Sequence, residues 1–232
     1  MTNNIISKTT VKRLISDIKE LSASSLSKDG IYYKHDETNM LLGYALIIGP
    51  KGTPYAAGNF FFKFTFPQDY PYTPPTVSYH TNDGHTRFNP NFYKNSKVCI
   101  SLLNTWKGEQ WTSCQTIRSI LLTLCSLFND TPLLNEPGIT KSHPDIEIYN
   151  KIIKYQTLKT AIGYIISNEL DEFEIFRDEV NDNFIKNYDD TVLDVTDKQN
   201  TSMACGMYNL SIKTNYKKLN DLFRQYHEKF II

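Results

Sequence analysis

Residues 31–80 read IYYKHDETNMLLGYALIIGPKGTPYAAGNFFFKFTFPQDYPYTPPTVSYH, and their texture decides the fold. Residues 31–34, 40–48, 59–66 and 76–80 are rich in aliphatic and aromatic side chains. Turn signals separate them: 35–39, then Gly49-Pro50-Lys51-Gly52-Thr53-Pro54, then 67–75. Apolar runs bounded by glycine, proline and asparagine read as strands. Connections this short join antiparallel neighbours, whereas parallel strands need a crossover of roughly a dozen residues or more. The spacing therefore predicts a four-stranded antiparallel meander. After Phe61 the third run alternates, so Phe62, Phe64 and Phe66 share one face, the core face. Residues 66–75, FPQDYPYTPP, hold four prolines in ten positions. Fixed φ and missing donors make that stretch rigid and non-helical.

Upstream, Val11, Leu14, Ile15, Ile18 and Leu21 recur at helical spacing and predict a helix over 10–24. Lys12, Arg13, Lys19 and Glu20 occupy its other faces. Residues 1–9 read as a flexible lead. Downstream, Trp111-Thr112-Ser113-Cys114-Gln115 reads as a helix start, with Thr112 as N-cap and Gln115 at the third helical position. Ile117, Ile120, Leu121, Leu124 and Phe128 then form its apolar face. A loop over 129–140 leads to helices over 145–167 and 171–188. Residues 189–200 read as a polar, mobile connection. A last helix over 208–230 places Tyr216, Leu219, Leu222, Phe223 and Tyr226 on one face. Helix, strands, then helices predicts an α+β fold. The chain divides into the lead (1–9), a core domain (10–168) and a C-terminal helical extension (169–232).

Composition narrows the function. Hydrophobic residues make up 40 % and aromatics 13 %, enough for a packed core. Lys plus Arg number 25 and Asp plus Glu 25, so the balanced charge gives no support to nucleic-acid binding. The four cysteines form no CxxC pair and the five histidines do not cluster with them, which argues against a metal site. No stretch of 1–13 has an apolar core of signal-peptide length. The longest apolar run, 40–48, is too short to span a bilayer. Unpaired thiols fit a reducing compartment. The expectation is a soluble cytoplasmic or nuclear protein without a membrane partner.

Chemistry concentrates in FNPNFYKNSKVCISLLNTWKGEQW, residues 88–111. Cys99 follows a turn-rich loop and precedes a second loop bracketed by Trp106 and Trp111. Such a thiol is a nucleophile, a metal ligand or a buried filler. A cysteine hydrolase needs a base beside the thiol, and neither His85 nor His143 lies in a partner motif. An acyl-carrying thiol needs less: a donor at the developing oxyanion and help for an attacking amine to lose its proton. Asparagine amides donate without titrating, and Asn89 and Asn91 lie just upstream. Cys125, among leucines, reads as core. Cys114 falls in the first turn of the expected helix, where the helix dipole acts on a thiol, but nothing converges on it.

The ordered motifs resemble those of ubiquitin-conjugating enzymes. That family carries an H-P-N tripeptide whose asparagine lies eight residues before the catalytic cysteine, and Asn89-Pro90-Asn91 with Cys99 reproduces the spacing (99 − 91 = 8). Residues 49–77 resemble the family's G-P-x-x-T-P-Y-x-x-G-x-F and Y-P-x-x-P-P blocks. Trp111 and the expected helix after it match the family's W-S-P-A-x-T-I stretch. The likeness spans about residues 11–139, and concatenated motifs are far more specific than any one. The inserted Asn104–Gly108 segment, RFNPNFY, and NEPG at 135–138 resemble the larger Z-type and BRUCE-like subgroup. Residues 149–162 resemble the helix that follows their core domain.

The resemblance implies a transferase without a metal or organic cofactor of its own. Cys99 would take ubiquitin, or a ubiquitin-like modifier, as a thioester from an activating enzyme that consumes ATP. The modifier would then pass to a lysine of a protein substrate with a ubiquitin ligase. An inactive scaffold of the same fold and a cysteine peptidase are the rival readings. By the same resemblance, Asn91 stabilises the oxyanion or braces the loop, and Asn89 replaces the motif histidine as a bracing group. Tyr93 shapes the lysine site or covers the loop. Asn135 falls near the family's gate carboxylate or serine but carries no charge, with Asp130 and Glu136 as nearby substitutes. Ser113, Cys114 and Tyr72 stand in the ligase-contacting region, and Lys12, Arg13 and Lys19 where an activating enzyme would meet the first helix.

Overall fold

A computed structural model describes residues 6–230. Of the expected N-terminal lead, residues 1–5 lie outside the described residues. Helix α1 spans Lys8–Ala23. It starts two residues early because Ser7 caps it, its hydroxyl accepting the Thr10 N–H at 3.0 Å. Strands β1 (Ile31–His35), β2 (Leu42–Ile48), β3 (Asn59–Thr65) and β4 (Thr76–Tyr79) come next. They pair in the order β1-β2-β3-β4, every neighbour antiparallel. This is the meander expected from the short connections.

After a long loop over 80–116 come α2 (Ile117–Ser126) and α3 (Ile146–Gln156). Helix α3 runs on through π-helical turns at Thr157–Tyr164 into a last turn, α4 (Ile165–Ser167). A 3-10 segment, Asp171–Phe176, leads into α5 (Arg177–Lys186) and α6 (Tyr188–Leu193). The chain then forms an antiparallel hairpin, β5 (Ser202–Cys205) and β6 (Leu210–Lys213), before α7 (Tyr216–Glu228). The α+β order stands.

Three local expectations need correction. Helix α2 begins five residues after Thr112. Its N-cap is Thr116, reciprocally bonded with Ser119. Cys114 is therefore an exposed loop residue, away from any first turn. The connection over 189–200 is partly helical and docked, with Thr191 and Val195 buried. The last helix starts at Tyr216, because residues 202–213 alternate: Cys205 and Leu210 turn inward and are buried. Asn215 caps that helix by accepting the Lys218 N–H.

The sheet is covered on both faces. Ala45, Ile47, Phe60, Phe62 and Phe64 join one core with Ile120 and Leu124 of α2 and Ile152 of α3. Tyr44, Leu46 and Phe61, of opposite parity, join a second core with Phe173, Phe176, Val180, Phe184 and Phe223 from the C-terminal extension. Phe61 stacks on Phe173 at 4.9 Å between ring centroids. On the same face Lys63 pairs with Glu172 at 2.6 Å.

One buried charge links α1 to the start of α2. Asp17, 3 % exposed, accepts from Arg13 Nε at 2.8 Å and from the Tyr70 hydroxyl. Arg13 also donates to the Ser113 and Gln115 carbonyls. Removing one member of a buried ionic network strands the others. Asp17→Ala should therefore lower the unfolding free energy by about 3 kcal/mol, read from the urea midpoint. A loss below about 1 kcal/mol would show the network to be dispensable.

Candidate active site

The eight-residue spacing between Asn91 and Cys99 is the span of a small hairpin. Phe92 bridges Val98, and a turn with Ser96 at φ 69° closes the end. Tyr93 N–H donates to the Lys97 carbonyl at 2.9 Å. Asn91 and Cys99 thus face each other. Cys99 N–H donates to the Asn91 carbonyl at 2.9 Å, and Asn91 Nδ2 donates to the Cys99 carbonyl at 2.7 Å. Asn91 Oδ1 is buried without a partner. The side chain braces the loop in this state, and its donor lies on the backbone of Cys99 itself.

Asn89 is fully buried and anchors the loop to the core. Its Nδ2 donates to Tyr55 Oη at 3.1 Å and to the Leu127 carbonyl at 2.8 Å. Its Oδ1 accepts the Asn91 N–H at 3.0 Å. Burial pushes the Tyr55 hydroxyl far above its ordinary range, so it stays a donor, here to the Phe88 carbonyl at 2.6 Å. A neutral amide at position 89 supplies both a donor and an acceptor at any pH. A histidine in the same place would supply a pH-dependent pair.

The gate-region amide is committed to the same frame. Asn135 Nδ2 donates to the Leu127 carbonyl at 3.2 Å and approaches Asn89 Oδ1 at 3.4 Å. Its Oδ1 accepts from Asn129 Nδ2 at 3.0 Å. Asp130 is an exposed loop residue whose carboxylate accepts from Thr131. Glu136 instead accepts the Tyr208 hydroxyl, a contact from the C-terminal hairpin that carries no local signal in the sequence.

The inserted loop closes over the thiol. Cys99 is 3 % exposed, and its Sγ–H donates to the Thr105 carbonyl at 2.8 Å. Thr105 Oγ1 accepts the Ile100 N–H at 3.0 Å. Asn104, at φ 57°, accepts the Trp111 N–H on its side chain at 2.9 Å. Gly108 holds φ 135° beside Ser101, where a Cβ would come within 3.0 Å of the serine side chain. Trp111 is buried, its indole donating to the Pro71 carbonyl at 2.7 Å, whereas Trp106 stays exposed.

The other candidates separate cleanly. Neither His85 nor His143 bonds to the Cys99 side chain; His143 Nδ1 accepts the Asp145 N–H at 3.2 Å. Burial pushes the Cys205 thiol up to about 11 and raises that of Cys125, which suits them to packing. No cluster of three or more His, Cys, Asp or Glu that fits a metal occurs among the described residues. Arg13 is held inward by Asp17 and two carbonyls, which removes it from the expected docking surface of α1; Lys12 and Lys19 are exposed. Ser113 and Cys114 are exposed, as is Tyr72.

A helix, a four-stranded meander and the helices after it thus present one thiol on an amide-braced loop, which is the architecture of a conjugating domain. The family profile described as ubiquitin-conjugating enzyme matches residues 13–156, more than half of the chain. The chain belongs to the ubiquitin-conjugating enzyme family. It is 40 % identical over 163 residues to the human protein named ubiquitin-conjugating enzyme E2 Z, covering 69 % of this chain and 46 % of that protein. Identity is also 40 %, over 148 residues, to human BIRC6, named a dual E2 ubiquitin-conjugating enzyme/E3 ubiquitin-protein ligase. That match covers 60 % of this chain and 3 % of BIRC6. A probable ubiquitin-conjugating enzyme E2 26 of Arabidopsis thaliana is 36 % identical over 194 residues, 79 % of this chain and 34 % of that protein. The chain spans about half the length of the E2 Z relatives it matches.

Proposed function

We propose that the chain carries ubiquitin or a ubiquitin-like modifier as a thioester on Cys99 and delivers it to a lysine. The supporting observation is the reciprocal pairing of Asn91 and Cys99, with Asn91 Nδ2 at 2.7 Å from the Cys99 carbonyl. An activating enzyme supplies the modifier as its own thioester. The Cys99 sulfur attacks that carbonyl, the activating enzyme's thiol leaves, and the new thioester retains the activation. Because Cys99 is covered, residues 104–110 must move off the sulfur before loading.

Transfer is the second step. The lysine ammonium loses a proton, and its nitrogen bonds to the thioester carbonyl carbon. The carbon–sulfur bond breaks, Cys99 leaves as thiolate, and the nitrogen's second departing proton balances that thiolate. Charge develops on the carbonyl oxygen between these steps, and an amide donor placed there lowers the barrier. Asn91 supplies it by turning Nδ2 from the Cys99 carbonyl to the oxyanion. The partners of this reading are an activating enzyme, a ubiquitin ligase and protein substrates, in the cytosol or nucleus.

The test is a non-reducing gel after mixing the chain with activating enzyme, ATP and ubiquitin. A reductant-sensitive adduct should form and vanish in Cys99→Ala. No adduct with any activating enzyme and modifier tried would favour an inactive scaffold. ATP-independent cleavage of ubiquitin-peptide bonds would favour a peptidase.

A further inference from the structure

The β5–β6 hairpin brings a side chain from the far end of the chain to the Cys99 loop. Its turn holds Tyr208 at φ 59° and Asn209 at φ 51°. Left-handed backbone at non-glycine residues carries a conformational cost of about 1–2 kcal/mol each and persists only where surrounding contacts enforce it. Two contacts enforce it. Met207 N–H donates to Asp145 Oδ2 at 2.8 Å, and the Tyr208 ring packs edge-on against Tyr149 at 6.0 Å.

Tyr208 then touches Glu136 and Arg87, one beside Asn135 and the other stacked on Tyr93. Its hydroxyl donates to the Glu136 carboxylate, on the turn next to Asn135. Burial and that carboxylate push the hydroxyl well above its ordinary range, so it remains a donor. Its ring lies 4.6 Å from the Arg87 guanidinium, which in turn lies 3.6 Å over the Tyr93 ring. Arg87 is locked by its own contacts: it donates to the Pro90 carbonyl at 2.5 Å, and its carbonyl accepts the Tyr149 hydroxyl at 2.8 Å. Tyr93 stands two residues from Asn91 on the hairpin that leads into Cys99. Glu136 adjoins the amide that ties the opposite turn to Asn89.

An acceptor lysine brings an apolar four-carbon stem and an ammonium head. The stem needs an apolar flank and the head a negative charge; Tyr93 and Glu136 offer one of each. Asn135, in the position next to Glu136, is neutral and already bonded within the loop frame. We propose that Tyr208 is a positioning residue for the acceptor lysine, fixing the Glu136 carboxylate and, through Arg87, the Tyr93 ring beside the path to Cys99. This rests on the thioester reading above and assigns the C-terminal hairpin to the transfer step.

The test separates the two readings by scoring loading first. Full-length wild type, Tyr208→Phe, Glu136→Gln and the double variant are charged with activating enzyme, ATP and ubiquitin, then chased with free lysine or with hydroxylamine. Tyr208→Phe keeps the ring on Arg87 and deletes only the hydroxyl. Hydroxylamine is neutral at pH 7 and small, so it needs neither an acidic group nor a stem-binding wall. Loading should match wild type in all variants. Lysine discharge should fall about tenfold in each single variant, the scale of a hydrogen bond to a charged group. The double variant should be no slower than the slower single, because the two groups act as one unit. Hydroxylamine discharge should not change. The proposal is overturned if lysine discharge stays within about twofold of wild type in either single variant, or if hydroxylamine slows in parallel. Absence of any wild-type thioester would instead defeat the thioester reading, and this proposal with it.

Discussion

Phe173→Ala should lower the unfolding free energy by about 3–5 kcal/mol, the usual range for deleting a buried phenylalanine ring. Phe173 is 5 % exposed and belongs to the second core. It stacks on Phe61 at 4.9 Å, meets Tyr44 edge-on at 5.7 Å and contacts His80 at 5.0 Å. Tyr44 and Phe61 are held by β2 and β3, and His80 lies just past the end of β4, so the vacated volume stays as a cavity. Against a total stability of roughly 5–15 kcal/mol, such a loss is a large fraction. The measurement is the urea midpoint with an unchanged slope. A loss under about 1 kcal/mol would mean that the extension contributes little to holding the sheet.

The same contacts predict the behaviour of a chain cut after residue 168. Tyr44, Leu46 and Phe61 would then lose Phe173, Phe176 and Phe223 and keep only the partial cover of residues such as Leu158 and Ile162, leaving apolar surface on the central strands exposed. Lys63 would lose Glu172, and Lys34 would lose Glu179. Contiguous exposed apolar surface of this kind promotes association. The truncated chain should elute in light scattering as aggregates, and a well-behaved monomer would contradict the energetic role given to the second core.

That second core is legible in part from sequence. Strands β1–β4 and the inward phenylalanines follow from period-two alternation and from proline and glycine between the runs. The run Leu42–Ile48 is apolar at both parities, which is the pattern of a strand covered on both faces. Its outer partners lie more than a hundred residues downstream, where nothing local identifies them. The start of α2 is ambiguous in sequence because two capping frames, 112–115 and 116–119, overlap in type, and tertiary contacts from Arg13 hold the first one open. The β5–β6 hairpin mimics a helix because Tyr208, Ile212, Tyr216 and Leu219 happen to fall at helical spacing. At the site, Asn91 and Cys99 are singled out in the sequence by the family resemblance, and in the fold a hairpin puts these positions eight apart face to face. The cover over the thiol is not legible, since it depends on the φ values of Asn104 and Gly108. Tyr208 is invisible for a simpler reason: only the folded extension brings it near.

Asn91→Ala should slow single-turnover discharge to lysine about a hundred- to a thousandfold, the scale of losing one oxyanion donor, while loading at Cys99 still proceeds. The resting geometry makes the outcome informative. Asn91 Nδ2 bonds the Cys99 carbonyl, which alone would make it a brace, and its Oδ1 is buried and unpaired. A charged oxyanion forming nearby competes with the neutral Cys99 carbonyl for that Nδ2 donor, because charge-assisted hydrogen bonds are the stronger. If bracing were its whole role, removing it would loosen the loop and impair loading and discharge alike. Asn91→Asp sharpens the distinction. The carboxylate keeps the shape of the amide but replaces its donor with an acceptor, placing negative charge against both the Cys99 carbonyl and the oxyanion. Discharge by Asn91→Asp should thus be at least as slow as by Asn91→Ala. Unchanged lysine discharge in Asn91→Ala would remove the oxyanion role and leave Asn91 as a structural strut.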